Sequence, residues 1–168
     1  MSNKELVVFS SIISAGLITP EEYISCCDEI ILNEDEPSQL VMDISLLKDK
    51  DEAARRLLNE TYDNFEENYP VPEAGFFEAC SEYLKYQSNH ISWEEFLRSA
   101  ILIAEHGPCQ CSANDFNRFL EAFVASGKSE ILAKRQSEHL LGVFKEELEE
   151  VEFYRQMVAQ RGLTSLSS

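Results

Sequence analysis

The sequence predicts an all-α protein, an irregular bundle or helical-repeat-like stack of seven to eight helices. Apolar residues recur at intervals of three and four, and the alternation of apolar and polar residues that is typical of strands is weak. Helix-start signals recur along the chain, and the 6 Gly and 5 Pro residues stand where helices are expected to begin or end. We expect a single α-helical domain over 1–161 and a frayed tail over 162–168.

Two helices are predicted near the start of the chain. The first spans about 3–15 and is followed by Gly16, a residue type that commonly ends helices. The second spans about 20–32 and begins after Thr19, whose hydroxyl can cap it. Proline at its first position and Glu22 at the capping-box spacing strengthen this helix start.

Three helices are predicted in the middle of the chain, near 38–47, near 50–68 and over about 73–87. Pro70 and Pro72 separate the last two, because proline lacks the backbone donor that a helix interior requires. No low-complexity linker or shift in composition marks a second domain.

The last part of the chain is predicted to form helices over 93–105, 113–125 and 129 to about 160. Ser92 and Ser112 are each followed at the third position by an acid, which is the capping-box spacing. The final helix carries one apolar face in steps of three and four, and Gly142 marks the place where it could kink.

The chain carries a large excess of negative charge, with 31 acidic and 14 basic side chains and a net charge of −17. The first 97 residues hold 21 of the acids and 6 of the bases, so the acidic field belongs mainly to this part. Such a field repels nucleic acid and anionic lipid and attracts basic proteins and cations. We therefore expect a basic protein partner, and neither nucleic acid, a membrane nor a small-molecule substrate.

Five cysteines, an odd number, indicate reduced thiols rather than a disulfide framework. The first residues lack the basic and apolar stretches of a signal peptide. No apolar run reaches the roughly 18 residues that a membrane-spanning helix needs. These observations predict a cytoplasmic protein.

No catalytic motif is recognisable in the sequence, so we expect neither an enzyme nor a cofactor. The strongest metal candidate is His106 with Cys109 and Cys111, because zinc favours these ligand types. A fourth ligand is missing nearby, which favours a turn with two half-buried thiols. A calcium loop starting at Asp49 is disfavoured, because Ala54 stands where the sharp turn requires glycine.

Acidic and aromatic residues interleave between 62 and 96, a pattern that suits the capture of a basic partner. Tyr69 and Trp93 stand beside chain breaks and are expected to be exposed, whereas aromatic residues at helical spacing are better explained as core. The acids at 34–36 have a solvated loop as their alternative explanation. The expected partner-binding residues are Glu34, Asp35, Glu36, Asp63, Glu66, Glu67, Tyr69, Glu73, Trp93 and Glu94.

In size, acidity and absence of catalytic motifs, the chain resembles the immunity proteins of bacterial toxin systems, including contact-dependent inhibition and colicin-like pairs. The resemblance rests on the overall profile and on the acidic first half, including Glu34-Asp35-Glu36 and Glu66-Glu67. It implies an antitoxin that covers the active or substrate-binding site of a basic toxin domain, such as a nuclease, in a 1:1 complex. The carboxylates would then stand in for the phosphates of the nucleic-acid substrate.

A second interpretation is an acidic helical chaperone or adaptor for a basic secreted effector. Secretion chaperones share the size and acidity, but many are mixed α/β dimers, which the weak strand signal disfavours. The tetratricopeptide type is helical, but the sequence shows no repeat of about 34 residues. An enzyme or metal protein that uses His106, Cys109 and Cys111 is a third alternative.

Overall fold

A computed structural model describes the backbone of residues 1–63 and 74–165 and the side chains of residues 1–61 and 74–160. Within these residues the protein is all-helical, with nine helices and no strand, which confirms the predicted fold class. The helices are α1 (Asn3–Ala15), α2 (Pro20–Asn33), α3 (Gln39–Ser45), α4 (Lys50–Asp63), α5 (Ala74–Gln87), α6 (Trp93–His106), α7 (Ala113–Ala125), α8 (Glu130–Val143) and α9 (Lys145–Ser165). None of the described helices has the length and apolar composition needed to span a lipid bilayer.

The number of described helices exceeds the predicted seven to eight because the last predicted helix, 129–160, is divided in two. The division falls at Phe144, whose ψ of 2° departs from helical geometry. The Phe144 ring is fully buried among other aromatic rings, so side-chain packing fixes the chain at this point. The kink expected near Gly142 therefore occurs two residues later, at a core residue.

The other predicted helices are present, and their described ends shift by two residues or fewer. The helix predicted over 50–68 is described as far as Asp63, and its last five predicted residues lie outside the described part of the chain. Helix α9 continues to Ser165, so residues 162–165 of the predicted frayed tail are helical.

Serine and threonine caps begin several helices, as the capping-box spacing predicts. Thr19, Ser92 and Ser112 each accept a hydrogen bond from the backbone N–H three residues on. The acid at that third position accepts one from the backbone N–H of the cap. Ser2 forms the same reciprocal pair at the start of α1, and Gly16 ends that helix with a left-handed φ of 72°. These local bonds fix where the helices start and stop.

The described helices form two compact units. Unit 1 comprises α1 to α4 and the part of α9 from Val151 onward. Unit 2 comprises α5 to α8 and the start of α9 as far as Glu150. The composition of the chain does not change at this division, and for that reason the sequence predicts a single domain.

Unit 1 is built on the packing of α1 against α4 and of α2 against α3. Helix α1 is apolar on most of its circumference, which is typical of a helix surrounded by others. Its buried apolar residues are Leu6, Val7, Val8, Ile12 and Ile13. Ala53 and Ala54 on α4 are buried and small, and the Ser10 hydroxyl donates to the Ala54 carbonyl at 3.0 Å. Small side chains on α4 thus allow the two helices to approach closely.

Unit 2 has an aromatic core, in which α6 packs against both α5 and α7. Phe96 on α6 is fully buried, and its ring centroid lies 5.4 Å from Tyr83 and 6.3 Å from Phe116. Both pairs are edge-on, a geometry that stabilises aromatic contacts beyond simple area burial. The Tyr83 hydroxyl donates to the Ser137 carbonyl at 2.8 Å, which satisfies the one polar atom of that ring.

Candidate partner-binding site

The predicted partner-binding residues differ in what the structure describes of them. Outside the described part of the chain lie Glu66, Glu67, Tyr69 and Glu73, together with the side chain of Asp63. Trp93 and Glu94 begin α6 in unit 2. The acids at 34–36 connect α2 to α3 in unit 1. The described members therefore belong to separate units, and each group is considered by itself.

Trp93 is buried, so the expectation that it is exposed is wrong. Only 4% of its surface is accessible, and its ring stacks on Phe96 with centroids 5.0 Å apart. The indole N–H donates to Gln136 Oε1 at 2.8 Å, and the Gln136 amide donates to the Phe119 carbonyl at 3.0 Å. A residue beside a chain break stays buried when neighbouring helices offer both ring contacts and a hydrogen-bond acceptor, as Tyr86 of α5 and Gln136 of α8 do here.

Glu94 is paired with basic side chains inside unit 2. Its Oε1 lies 2.8 Å from Arg98 Nη2, and its Oε2 lies 2.6 Å from Lys128 Nζ. Hydrogen bonds from Lys128 and then from Arg98 hold the pKa of Glu94 below its ordinary value. Lys128 stands in the turn between α7 and α8 with a left-handed φ of 61°. A carboxylate with two cations of its own attracts an external cation less strongly than a free one does.

The acids between α2 and α3 are placed differently. We call Glu34, Asp35 and Glu36 the acidic turn; all three are exposed. Among the described residues none of the three takes part in an ion pair. Arg56, a cation of unit 1, is instead occupied by Asp43 at 3.1 Å and by a second acid of α4. The acidic turn thus keeps its negative charge available to solvent.

Local hydrogen bonds hold the acidic turn at both ends. Glu34 is the C-cap of α2, and its backbone N–H donates to the Ile30 carbonyl at 3.0 Å. Asn33 donates through its side-chain amide to the Glu29 carbonyl at 2.8 Å. On the other side, Ser38 caps α3. Because the connection is short and both ends are bonded, the backbone that carries the three carboxylates is anchored at each end.

An exposed leucine stands next to the acidic turn. Leu32, in the last turn of α2, has 84% of its surface accessible to solvent. The buried face of α2 carries Tyr23 and Cys26, with Ile30 continuing the same spacing. Leu32 follows Ile30 by two residues, which turns it about 200° around the helix and away from that face. This angular offset is the signal in the sequence that could have identified Leu32.

Exposed carboxylates next in sequence to an exposed apolar side chain form a segment that suits protein binding. Charges at the rim of an interface accelerate association, and an apolar side chain that becomes buried at its centre slows dissociation. The acidic turn and Leu32 supply these two elements within five consecutive residues. This segment of unit 1 is therefore the strongest candidate for a partner-binding site.

The candidate zinc ligands are not assembled as a metal site. His106 Nδ1 lies 2.7 Å from the Leu102 carbonyl oxygen, and the Cys109 thiol donates to Gln110 Oε1 at 3.3 Å. Burial raises the pKa of the Cys109 thiol and raises that of Cys111 to about 11. Across residues 1–61 and 74–160 no group of three His, Cys, Asp or Glu side chains is arranged to hold a metal ion.

No protein-family model matches this sequence, and no curated protein or solved structure matches it significantly.

Proposed function

We propose that this protein is an acidic inhibitor that neutralises a basic toxin domain, in a 1:1 complex, by covering its active or substrate-binding site. The observation that carries the proposal is the acidic turn with Leu32 just before it in the chain: three exposed carboxylates follow, within four residues, a leucine that is 84% exposed. A toxin domain that acts on nucleic acid presents a basic groove, and carboxylates can occupy the positions of the phosphates in it.

Net charge supports the proposal at long range. The chain carries −17, so a basic domain is attracted before the two surfaces touch. The acidic turn then provides charge at short range, because its carboxylates have no ion pair within the described residues. The proposed site excludes Trp93, because this residue is buried. Glu94 has a minor role in the proposed site, because Arg98 and Lys128 already pair with it.

Leu32 is proposed to supply binding energy. Transfer of a leucine side chain from water to an apolar pocket is worth about 1.5–3 kcal/mol. Since about 1.4 kcal/mol corresponds to tenfold in Kd, this burial represents roughly one to two orders of magnitude in affinity. The partner surface would therefore combine basic side chains with an apolar recess.

Where a basic protein is encoded next to the gene of this chain, the experiment measures whether the chain binds and inhibits it; a gene without such a neighbour would count against the proposal. Both proteins are purified, and the activity of the neighbouring protein is measured with increasing amounts of this chain. Inhibition that is complete at a 1:1 ratio supports the proposal. A stable complex without loss of activity would favour the chaperone interpretation instead.

Charge reversal then locates the site. A triple substitution of the acidic turn, Glu34→Lys, Asp35→Lys and Glu36→Lys, is compared with a matched control that reverses three exposed acids of unit 2, Glu105, Glu121 and Glu149. In both variants the net charge becomes more positive by the same six units. Reversal in the turn is expected to slow association by about tenfold or more at low salt, and the control by much less. Equal slowing would assign the effect to net charge and exclude the turn as the site.

The contribution of Leu32 is tested with a matched control variant as well. Leu32→Ser is compared with Leu46→Ser, because Leu46 also lies in unit 1 and is 80% exposed. Leu32→Ser is expected to raise the dissociation rate by about tenfold or more, while Leu46→Ser leaves it unchanged. A Leu32→Ser variant with the dissociation rate of the unmodified chain would remove Leu32 from the interface.

A further inference from the structure

Unit 1 contains a partly open cavity of about 250 Å³ that the proposed inhibitor function does not use. Each of the four helices α1 to α4 contributes to its wall, together with the part of α9 that belongs to unit 1. An apolar cavity of about 150 Å³ admits benzene. The cavity in unit 1 is larger by about two thirds, so it has room for a molecule of roughly ten heavy atoms.

The wall of this cavity is mostly apolar. Aliphatic residues are the largest group in it, among them Ile13, Leu40, Ile44, Leu57 and Val158. Aromatic residues form a second group, which consists of Phe9, Tyr23 and Tyr154. A hydrocarbon that leaves water and packs against such a wall gains free energy in proportion to the apolar area that it buries.

The polar groups of the lining side chains are already occupied or neutral. The Tyr23 hydroxyl donates to the Leu47 carbonyl at 2.6 Å, and the Tyr154 hydroxyl donates to Glu5 Oε1 at 3.3 Å. Burial raises the pKa of the Cys27 thiol to about 12, so this group carries no charge at neutral pH. Both hydroxyls use their protons within the protein, and a ligand with acceptor atoms would have to compete for them.

The lining residues also compensate their own charge. Among those that the structure describes, Glu5 is the only residue with an ionisable carboxyl group. Its Oε2 accepts from the backbone N–H of Ser2 at 2.6 Å, and its Oε1 accepts from Tyr154. Hydrogen bonds from Ser2, then the one from Tyr154 and last the N-terminal ammonium of Met1 lower the pKa of Glu5. Since Met1 lines the same cavity, the wall includes one anion and one cation and offers a ligand no uncompensated charge.

We propose that this cavity binds an uncharged, apolar small molecule of roughly ten heavy atoms or fewer, which packs among Ile13, Ile44 and Leu57. A charged ligand would lose its hydration without gaining an unpaired group of opposite charge, and this loss is unfavourable. A hydrocarbon carries no such cost, because the polar groups of the wall keep their bonds when it enters.

The proposal is tested with propylbenzene, phenethylammonium and phenylacetate, which are similar in size and differ in charge. Each probe is titrated into the full chain with ¹³C-labelled methyl groups. Resonances of Ile13, Ile44, Leu57 and Val158 report on the cavity, and those of Leu46, which is 80% exposed, serve as the control. We expect saturable shifts with propylbenzene at the cavity residues alone, and binding of both ions weaker by about a hundredfold or more. Either ion binding as tightly as propylbenzene would overturn the proposal, and so would the absence of saturable shifts with propylbenzene.

The room inside the cavity is tested with the series toluene, ethylbenzene and propylbenzene. Each added methylene is expected to tighten binding about fourfold, because the chain is buried against the apolar wall. Equal affinities for the three probes would mean that the alkyl chain remains in solvent, which contradicts a cavity of the proposed capacity.

A variant that fills the cavity makes the test specific. Cys27→Leu adds volume to the wall, and Cys109→Leu is its control, because Cys109 is also a half-buried thiol but lies in unit 2. With the helical content of both variants confirmed by circular dichroism, Cys27→Leu is expected to weaken propylbenzene binding by about tenfold or more and Cys109→Leu to leave it unchanged. Unaltered binding by Cys27→Leu would place the ligand outside the cavity and overturn the proposal.

Discussion

The indole N–H of Trp93 donates to the side-chain oxygen of Gln136 at 2.8 Å, and both residues are buried. This bond joins the first residue of α6 to the middle of α8. Gln136 continues the chain of hydrogen bonds through its amide to the Phe119 carbonyl of α7 at 3.0 Å. One buried glutamine therefore satisfies polar groups from two other helices of unit 2.

Replacement of that glutamine is expected to destabilise the protein. Gln136→Leu leaves the buried Trp93 N–H without its partner, which costs about 1–3 kcal/mol for a buried polar group, whereas the Phe119 carbonyl loses only the bond it accepts in addition to that of its own helix. The free energy of unfolding from urea titrations measures this loss, with Gln160→Leu as the control at an exposed position of α9. In the double variant Trp93→Phe with Gln136→Leu, the loss should be smaller than the sum of the single losses. If the two single losses in unfolding free energy simply added in the double variant, this would contradict a direct bond between Trp93 and Gln136.

Helix bounds could be predicted from the sequence because the interactions that set them are local. The bond between Ser92 and the acid three residues later needs only four residues of chain, and it occurs as the spacing predicts. The burial of Trp93 could not be predicted in this way, since its partner Gln136 is 43 residues further along. The break at Phe144 likewise depends on rings that come from α5 and α6.

The candidate site was predictable only in part, for a similar reason. Exposure of the acids at 34–36 follows from their place in a polar connection between two helices, which the sequence indicates. Exposure of Leu32 depends on which face of α2 meets the rest of unit 1. The pairing of Glu94 with Lys128 depends on a turn 34 residues away. The cavity takes its walls from five helices, and no local pattern specifies such an assembly.

The capping boxes make stability depend on pH in the acid range. Hydrogen bonds from Ser92 lower the pKa of Glu95 from its ordinary value of 4.5. A carboxyl group whose folded pKa lies below its unfolded pKa stabilises the folded state above the unfolded value, and this stabilisation is lost as the pH falls through the folded pKa. We therefore expect the melting temperature to fall as the pH drops below about 4.5.

Glu95→Gln isolates this effect. Glutamine can accept the same bond from the backbone N–H of Ser92 but does not titrate. The stability difference between the unmodified chain and Glu95→Gln should be constant near neutral pH and should diminish as the pH falls below 4.5, the ordinary pKa of Glu95. Melting curves between about pH 3 and pH 7 measure this difference. A difference that stays the same over the whole range would show that the Glu95 charge does not stabilise the cap.

None of the five cysteines takes part in a disulfide bond, and the reactivity of their thiols should follow their burial. Burial raises the pKa of Cys27 to about 12 and that of Cys111 to about 11, so at pH 8 very little thiolate is present at either. Cys80 has no accessible surface, and burial raises the pKa of its thiol as well. We expect Cys111 to react first of these three and Cys80 last.

Mass spectrometry after timed exposure to N-ethylmaleimide orders these rates, and guanidinium chloride serves as the control. In the unfolded chain all five thiols should be modified together, because the burial that separates them is gone. Modification of Cys80 in the folded protein before Cys111 would contradict the burial described for unit 2.

Replacement of two helical glycines by alanine should change the stability of the protein in opposite directions. A Cβ on Gly75 would lie 2.5 Å from the carbonyl oxygen of Pro108, so the backbone of α5 or of the α6–α7 connection must move. This overpacking is expected to cost about 1–3 kcal/mol, which exceeds the gain of up to about 1 kcal/mol from the better helix former. A Cβ on Gly142 in α8 meets nothing within 4 Å, and Gly142→Ala should stabilise by about 0.5–1 kcal/mol. Urea midpoints at equal m-values measure both changes. Since helix propensity acts in the same direction at both positions, a Gly75→Ala variant as stable as the unmodified chain would mean that Pro108 does not approach α5 so closely.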